Sequence, residues 1–392
     1  MTLNASNDSF APNSFGADVH AVSPSTSLIV LSDSEKRAMV AVAPALQGRV
    51  LTSTADGWGG RSYGWVNREL IVSGKVQEHF NAYGGEDRIW LGPEGGQYSI
   101  FFAPKASFDL EHWYTPAALD TEPFKVVRQS EKQVTLDSRF SVQNYSGTVF
   151  HLNLERTVRL LSKAEVLKLL DMRADSNIKI VAYESVNRLT NVGTNAWKKE
   201  TGLLSLWVLG QFQASPSSTI VVPLQRGSIE QKGKELTTDY FGETPASRIQ
   251  VKDHVAYFKA DANFRSKIGV SPSRAKGLLG SYDAEHGVLT IVQYTEPRPG
   301  DEYVNSAWKI QEHPYQGDVA NSYNDGPSTA GGTQLGKFYE LESSSPAAAL
   351  IPEKSIEHLH RTIHLQGTKE QLEPLVENIF GTPIDKIQSA LP

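Results

Sequence analysis

Residues 356–365, IEHLHRTIHL, alternate between two kinds of side chain. Taken as a strand, they gather His358, His360, Thr362 and His364 on one side and Leu359, Ile363 and Leu365 on the other, the period of two that a half-buried strand carries. Residues 337–342, KFYELE, repeat the pattern. There Glu340 and Glu342 share one face, with Cα atoms about 7 Å apart, and Tyr339 and Leu341 share the other. These two segments carry the strongest polar alternation in the chain, and they set the expectation of a β-fold.

Working outward, short runs rich in β-branched and aromatic residues recur between polar turns. They fall at Val50–Thr52, Glu69–Val72, Phe124–Val127, Val134–Leu136, Thr148–Leu154, Thr157–Leu161, Ile178–Tyr183, Leu203–Leu209, Thr219–Leu224, Val255–Ala260, Lys267–Val270 and Val288–Tyr294. Leu28–Leu31 and Met39–Val42, joined by a turn at Asp33–Glu35, read as a hairpin. Many short strands without long amphipathic helices between them favour a mainly antiparallel, all-β sandwich or barrel over a βαβ sheet. Loops at 225–238, 296–302 and 312–336 are rich in turn residues and suit the walls of a cleft. Only the C-terminus reads as helical: Thr368 and Gln371 have capping-box spacing, Leu372, Leu375, Val376, Ile379 and Phe380 share a face, and Gly381 is the stop. The expected organisation is a loose arm over residues 1–26, one large β-domain over 27–367, and C-terminal helices over 368–392 packed on that domain.

The chain has 392 residues, a net charge of −6 and no cysteine. Disulfides, thiolate metal sites and cysteine nucleophiles are therefore excluded. Charges of both signs are dispersed, against the basic stripe of a nucleic-acid binder. No apolar run reaches the roughly 20 residues of a membrane span. Residues 1–16, MTLNASNDSFAPNSFG, lack the basic start and apolar centre of a signal peptide but resemble the tail left after one is removed. A periplasmic or secreted location is expected on that ground, with the cytoplasm as the alternative.

Residues 83–102, YGGEDRIWLGPEGGQYSIFF, set two Gly-Gly pairs around Glu86, Asp87, Arg88, Trp90 and Glu94, with Tyr98, Ile100 and Phe102 alternating beyond. Glycine lets backbone turn or approach a ligand closely, so this reads as a cleft wall, with a glycine-rich surface turn as the alternative. Paired carboxylates such as Glu340 and Glu342 can divide acid and base roles, and the histidines can act as bases or acids. His-x-His supplies only two metal ligands. No cofactor is expected, and a divalent cation stays an open alternative. Arg265, Lys267, Arg274 and Lys276 form a basic cluster suited to an anionic substrate, or to guarding an edge strand. The tryptophans at 58, 65, 90, 113, 197, 207 and 308 have the flat faces that sugar rings stack on.

Gly336–Leu365, with LESSSP at 341–346, a Leu-Ile-Pro turn and the His/Thr strand, resembles the C-terminal part of galactose mutarotase-like proteins. Leu189-Thr190-Asn191-Val192-Gly193 is similar to the turn before their catalytic histidine. Trp197–Gly202 departs from the pattern, offering Lys198, Lys199 and Glu200 where those proteins have histidine. As a whole the chain resembles a poorly characterised mutarotase-like branch from polysaccharide-degrading bacteria. The resemblance implies a large β-supersandwich with a sugar-sized concave cleft, and places Glu342 at the general-base position.

The leading expectation is a lyase or dehydratase that eliminates from a uronic-acid-containing oligosaccharide end. Arg88 or Arg361 would hold the carboxylate, His358 or His360 would be the base, and Glu86 or Glu342 the acid. Tyr83, Trp90, Glu94, Arg265, Lys267, Asn324 and Glu340 complete the expected substrate contacts. The alternatives are an aldose 1-epimerase-like mutarotase and a sugar-binding protein without catalysis.

Overall fold

The computed structural model describes residues 10–172, 177–327 and 332–392. Two antiparallel sheets face each other. The larger has ten strands, in the spatial order Ile249–Lys252, Val255–Lys259, Ser218–Pro223, Leu278–Asp283, Val288–Tyr294, Ser355–Gln366, Lys179–Asn191, Val149–Leu160, Gln133–Gln143 and Lys125–Gln129. The smaller has five: Ser266–Val270, Ala320–Asn324, Phe338–Ser344, Ser205–Gln213 and Arg88–Gly92. A three-stranded sheet, Ile29–Ser32, Met39–Ala43 and Arg49–Thr54, includes the expected N-terminal hairpin.

Alternation along Ser355–Gln366 decides how the layers meet. Its apolar set, including Ile363 and Leu365, packs under the C-terminal helix Lys369–Phe380 with Leu372, Val376 and Phe380. That helix carries the expected capping box of Thr368 and Gln371 and ends at left-handed Gly381. Its polar set, His358, His360, Thr362 and His364, is fully buried between the two sheets. There Ser343 of the smaller sheet lies 2.7 Å from Nε2 of His358 and 2.8 Å from Nδ1 of His360. His364 meets Thr290 at 2.9 Å and Glu86 at 3.0 Å. Beside them, Arg156 donates to Asn187 at 2.7 Å and pairs with Asp87. The interior also holds two distinct apolar clusters, one around Phe150, Leu154 and Leu206, the other around Ile220, Phe258 and Leu341.

Several local expectations are corrected. The loose arm over 1–26 gives way, from residue 10 on, to packed chain: Phe15–Val22 is a helix capped by Ser14, and Phe15 and Val19 are buried, with the Phe15 ring 5.5 Å from that of Trp58. Glu69–Val72 lies in a helix, Arg68–Ser73, because Asn67 caps its start and left-handed Gly74 closes it. Lys163–Leu169 is also helical, started by a Ser162/Glu165 capping box. The strand in the glycine-rich stretch is Arg88–Gly92, while Tyr98–Phe102 turns away from it. Within the 312–336 loop, Ala320–Asn324 is a strand, and residues 328–331 lie outside those described. Among the described residues no helix is long and apolar enough to cross a membrane.

Burial lowers the pKa of His358 to about 3, helped by neighbouring His360, and that of His360 to about 4. The ordinary value is 6.5. Below it the unfolded chain takes up protons that the fold refuses, so each ring costs about 1.4 kcal/mol of stability per pH unit. The contribution is complete above pH 6.5 and is lost as the pH falls towards 4. Urea midpoints measured at pH 7.5, 6, 5 and 4 should fall across that window, and a His358→Gln/His360→Gln variant should show a shallower decline.

Candidate active site

The outward face of the smaller sheet forms the floor of a cavity of about 460 Å³. Register sets its chemistry. Gln211, Glu340, Tyr323 and Lys267 stand side by side on four adjacent strands, and Trp207 pairs with Trp90 on the fifth. Arg88 and Trp90 project to the same side because they are two residues apart. The walls come from loops carrying His79, Phe80, Trp113, Phe241 and Trp308. At Gly95 and Gly96 the chain passes against the loop bearing Trp308: a Cβ on Gly95 would stand 2.6 Å from the Ala307 carbonyl oxygen, and Gly96 has a φ of 81°. The glycine pair noted in the sequence thus permits this close approach.

Two ion pairs organise the floor. Arg88 donates to Glu340 at 3.3 Å while its guanidinium stacks 4.1 Å above the Trp90 ring. Lys267 donates to Oε2 of Glu342 at 3.0 Å, and Trp207 Nε1 donates to the same oxygen at 2.9 Å. Glu340 also accepts from Gln211 at 2.8 Å. Burial, reinforced by Glu342, pushes the Glu340 pKa up to about 7 against the opposing pull of Arg88 and Lys267. Burial also raises that of Glu94, on the cavity wall. Burial works against the Lys267 ammonium, but Glu342, Glu94 and Glu340 outweigh it and hold the pKa above the ordinary lysine value. The site thus combines a carboxyl that exchanges its proton near neutrality with a fixed cation, enclosed by aromatic faces.

Of the expected residues, Arg88, Trp90, Glu94, Arg265, Lys267 and Glu340 converge on this cavity. Glu342 lies immediately behind it, fully buried beneath Lys267 and Trp207. The others are corrected. His358 and His360 face the opposite side of the smaller sheet, bonded to Ser343, because neighbouring residues of a strand point to opposite faces. Glu86 is also interior, bonded to Ser53 at 2.9 Å and to His364. Arg361 pairs with Glu184 on the ten-stranded sheet. Tyr83 packs beside Arg49. Asn324 holds backbone, accepting from Ala262 and donating to Phe264, both at 2.9 Å.

Among the tryptophans, 90, 113, 207 and 308 line the cavity. Trp58, Trp65 and Trp197 instead pack on Phe15, Phe338 and Phe150. His79, Gln211, Tyr323 and Asp325 were not singled out in the sequence. Only the period of two along their strands would have pointed to Gln211 and Tyr323, while His79 and Asp325 lie outside the strands and carry no such signal. Among the described residues no group of three or more His, Asp or Glu is arranged to hold a metal ion.

A family model described as a family of unknown function, DUF6786, matches residues 13–391. No curated protein matches the chain. Among solved structures, a candidate aldose 1-epimerase from Escherichia coli K12 superposes with a TM-score of 0.52 at 13% identity, covering 87% of this chain and 99% of its own. The Slr1438 protein of Synechocystis sp. PCC 6803 gives 0.50 at 14% identity, covering 87% and 96%. At such identities the likeness is one of fold: a mostly antiparallel β-architecture of galactose mutarotase-like type with short C-terminal helices.

Removing Lys267 strands the buried Glu342 carboxylate. Lys267→Met should cost about 3–5 kcal/mol in urea denaturation, and the Lys267→Met/Glu342→Gln double variant should recover much of that loss.

Proposed function

We propose that this chain, which belongs to the DUF6786 family, acts on the reducing end of an aldose sugar and interconverts its anomers. The observation that carries this reading is the placement of Glu340 and Lys267 together in one aromatic-walled cavity, where burial raises the Glu340 pKa to about 7. Opening a pyranose ring requires loss of the anomeric hydroxyl proton and stabilisation of the ring oxygen as the C1–O bond breaks. Ionised Glu340 accepts that proton. Lys267 gives a proton to the ring oxygen as the C1–O bond breaks, leaving the open-chain hydroxyl and a neutral amine that takes the proton back on closure. Rotation about C1–C2 exposes the other face of the aldehyde, and the same two groups working in reverse close the ring.

Glu342 and Trp207 support this chemistry from behind by fixing the ammonium, and Arg88 orients Glu340. Trp308, on the cavity wall, provides a stacking face for the sugar, while Trp90 and Trp207 carry Arg88 and Lys267 on their rings. The elimination reading is weaker, because its proposed bases, His358 and His360, are sealed between the sheets. The mutarotase-like fold also accords better with epimerisation.

Polarimetry on freshly dissolved α-anomers of neutral and acidic aldoses tests the proposal. The catalysed rate should rise about tenfold per pH unit below 7 and level off above it, since the base must be ionised. Glu340→Gln should lower it by about 10²–10⁴-fold. Uncatalysed rates for every sugar would remove the reading, and new ultraviolet absorbance from uronic-acid oligosaccharides would restore elimination in its place.

A further inference from the structure

Among the described residues, the cations of the cavity do not all have an ion-pair or hydrogen-bond partner. Arg88 pairs with Glu340 and Lys267 with Glu342. Arg265 also lines the cavity, yet its guanidinium makes no ion pair or side-chain hydrogen bond among the described residues. Its Cζ lies 4.1 Å from the centroid of the Phe241 ring, a cation–π contact that leaves its N–H donors unengaged among the described residues.

The backbone beneath it is built rather than loose. Asn324 grips the preceding turn at Ala262 and Phe264. Gly326 packs so tightly there that a Cβ would stand 2.5 Å from the Arg265 nitrogen. Two carboxyls, Asp325 and Glu94, lie near enough to feel the guanidinium's charge but do not pair with it. Asp325 is already engaged, accepting from the Tyr323 hydroxyl at 2.7 Å and from the Gly336 amide at 2.8 Å. Lys267, two residues along and on the same face, extends the positive edge.

We infer that Arg265, held on Phe241, is a specificity residue that receives an oxyanion on the sugar: the carboxylate of a uronic acid or the sulfate of a sulfated sugar. Both present paired oxygens to the guanidinium fork. The inference rests on the reading that the cavity holds a sugar, and it adds that the sugar is acidic.

The test is a binding ratio, read from quenching of the cavity tryptophans in the full chain. Glucuronate and glucose 6-sulfate are each compared with glucose at low ionic strength. A charged hydrogen-bonded contact worth about 1.5–3 kcal/mol corresponds to a preference of roughly 10–100-fold for the acidic sugar. Arg265→Met should bring the ratio close to one, and Arg265→Lys, which keeps charge but loses the fork, should leave it in between. A general folding defect would weaken all three ligands together and leave the ratio unchanged.

Glucuronate outranking the sulfate, or the reverse, identifies the oxyanion. Equal binding of all three sugars by the native chain, or a ratio that survives Arg265→Met, overturns the inference. An acid preference in binding without catalysed anomer exchange would remove the epimerase reading alone. Catalysed exchange with the same kcat/KM for neutral and acidic sugars would remove this one alone.

Discussion

The hydroxyl of Ser343, held between His358 and His360, ties the two large sheets together at a point where neither can slide. Buried polar groups must be paired, because an unpartnered one costs about 1–3 kcal/mol. Alongside, Asp87 pairs with Arg156 and Glu86 with Ser53 and His364, while Oδ2 of Asp87, Nδ1 of His358, Nε2 of His360 and Oγ1 of Thr362 have no partner among the described residues. An apolar interface could tolerate a register slip of two residues by repacking. A seam of specific donors and acceptors loses several bonds at once. His358 and His360 contribute while neutral, which burial favours.

The seam also fixes the site. Ser343 points inward, so Glu340 and Glu342, an odd number of residues away, are turned towards the opposite face. Register then sets Glu340 level with Gln211, Tyr323 and Lys267 on neighbouring strands. The tuned carboxyl and the fixed ammonium follow from one constraint: polar residues behind the sheet hold the strand that carries reactive residues in front of it. The loops contribute the aromatic walls, brought close where glycines leave room for backbone.

Much of this was legible in the chain. Alternation in 337–342 and 356–365 identified both strands and correctly paired Glu340 with Glu342. The C-terminal helix was readable from its cap and its stop, and the cleft wall from Arg88, Trp90 and Glu94. The errors have physical causes. A period of two says that two faces differ, not which one meets solvent, so His358 and His360 passed for cleft residues when they are interior struts. Arg361, on the opposite face of the same strand, turned out to be a partner of Glu184.

By itself, then, the sequence determined the strand periods, the helix caps, the absence of thiol chemistry and the grouping of charges along each strand. Those properties depend on neighbours within a few residues. Only the tertiary structure decided which polar face was buried, that Arg88 meets Glu340, that Lys267 meets Glu342, and that Arg265 meets Phe241 but has no ion pair among the described residues. Arg88 and Glu340 are separated by 252 positions in the chain. Such contacts depend on how sheets stack and register, and the balance of burial and charge that brings the Glu340 pKa to about 7 exists only once they have done so.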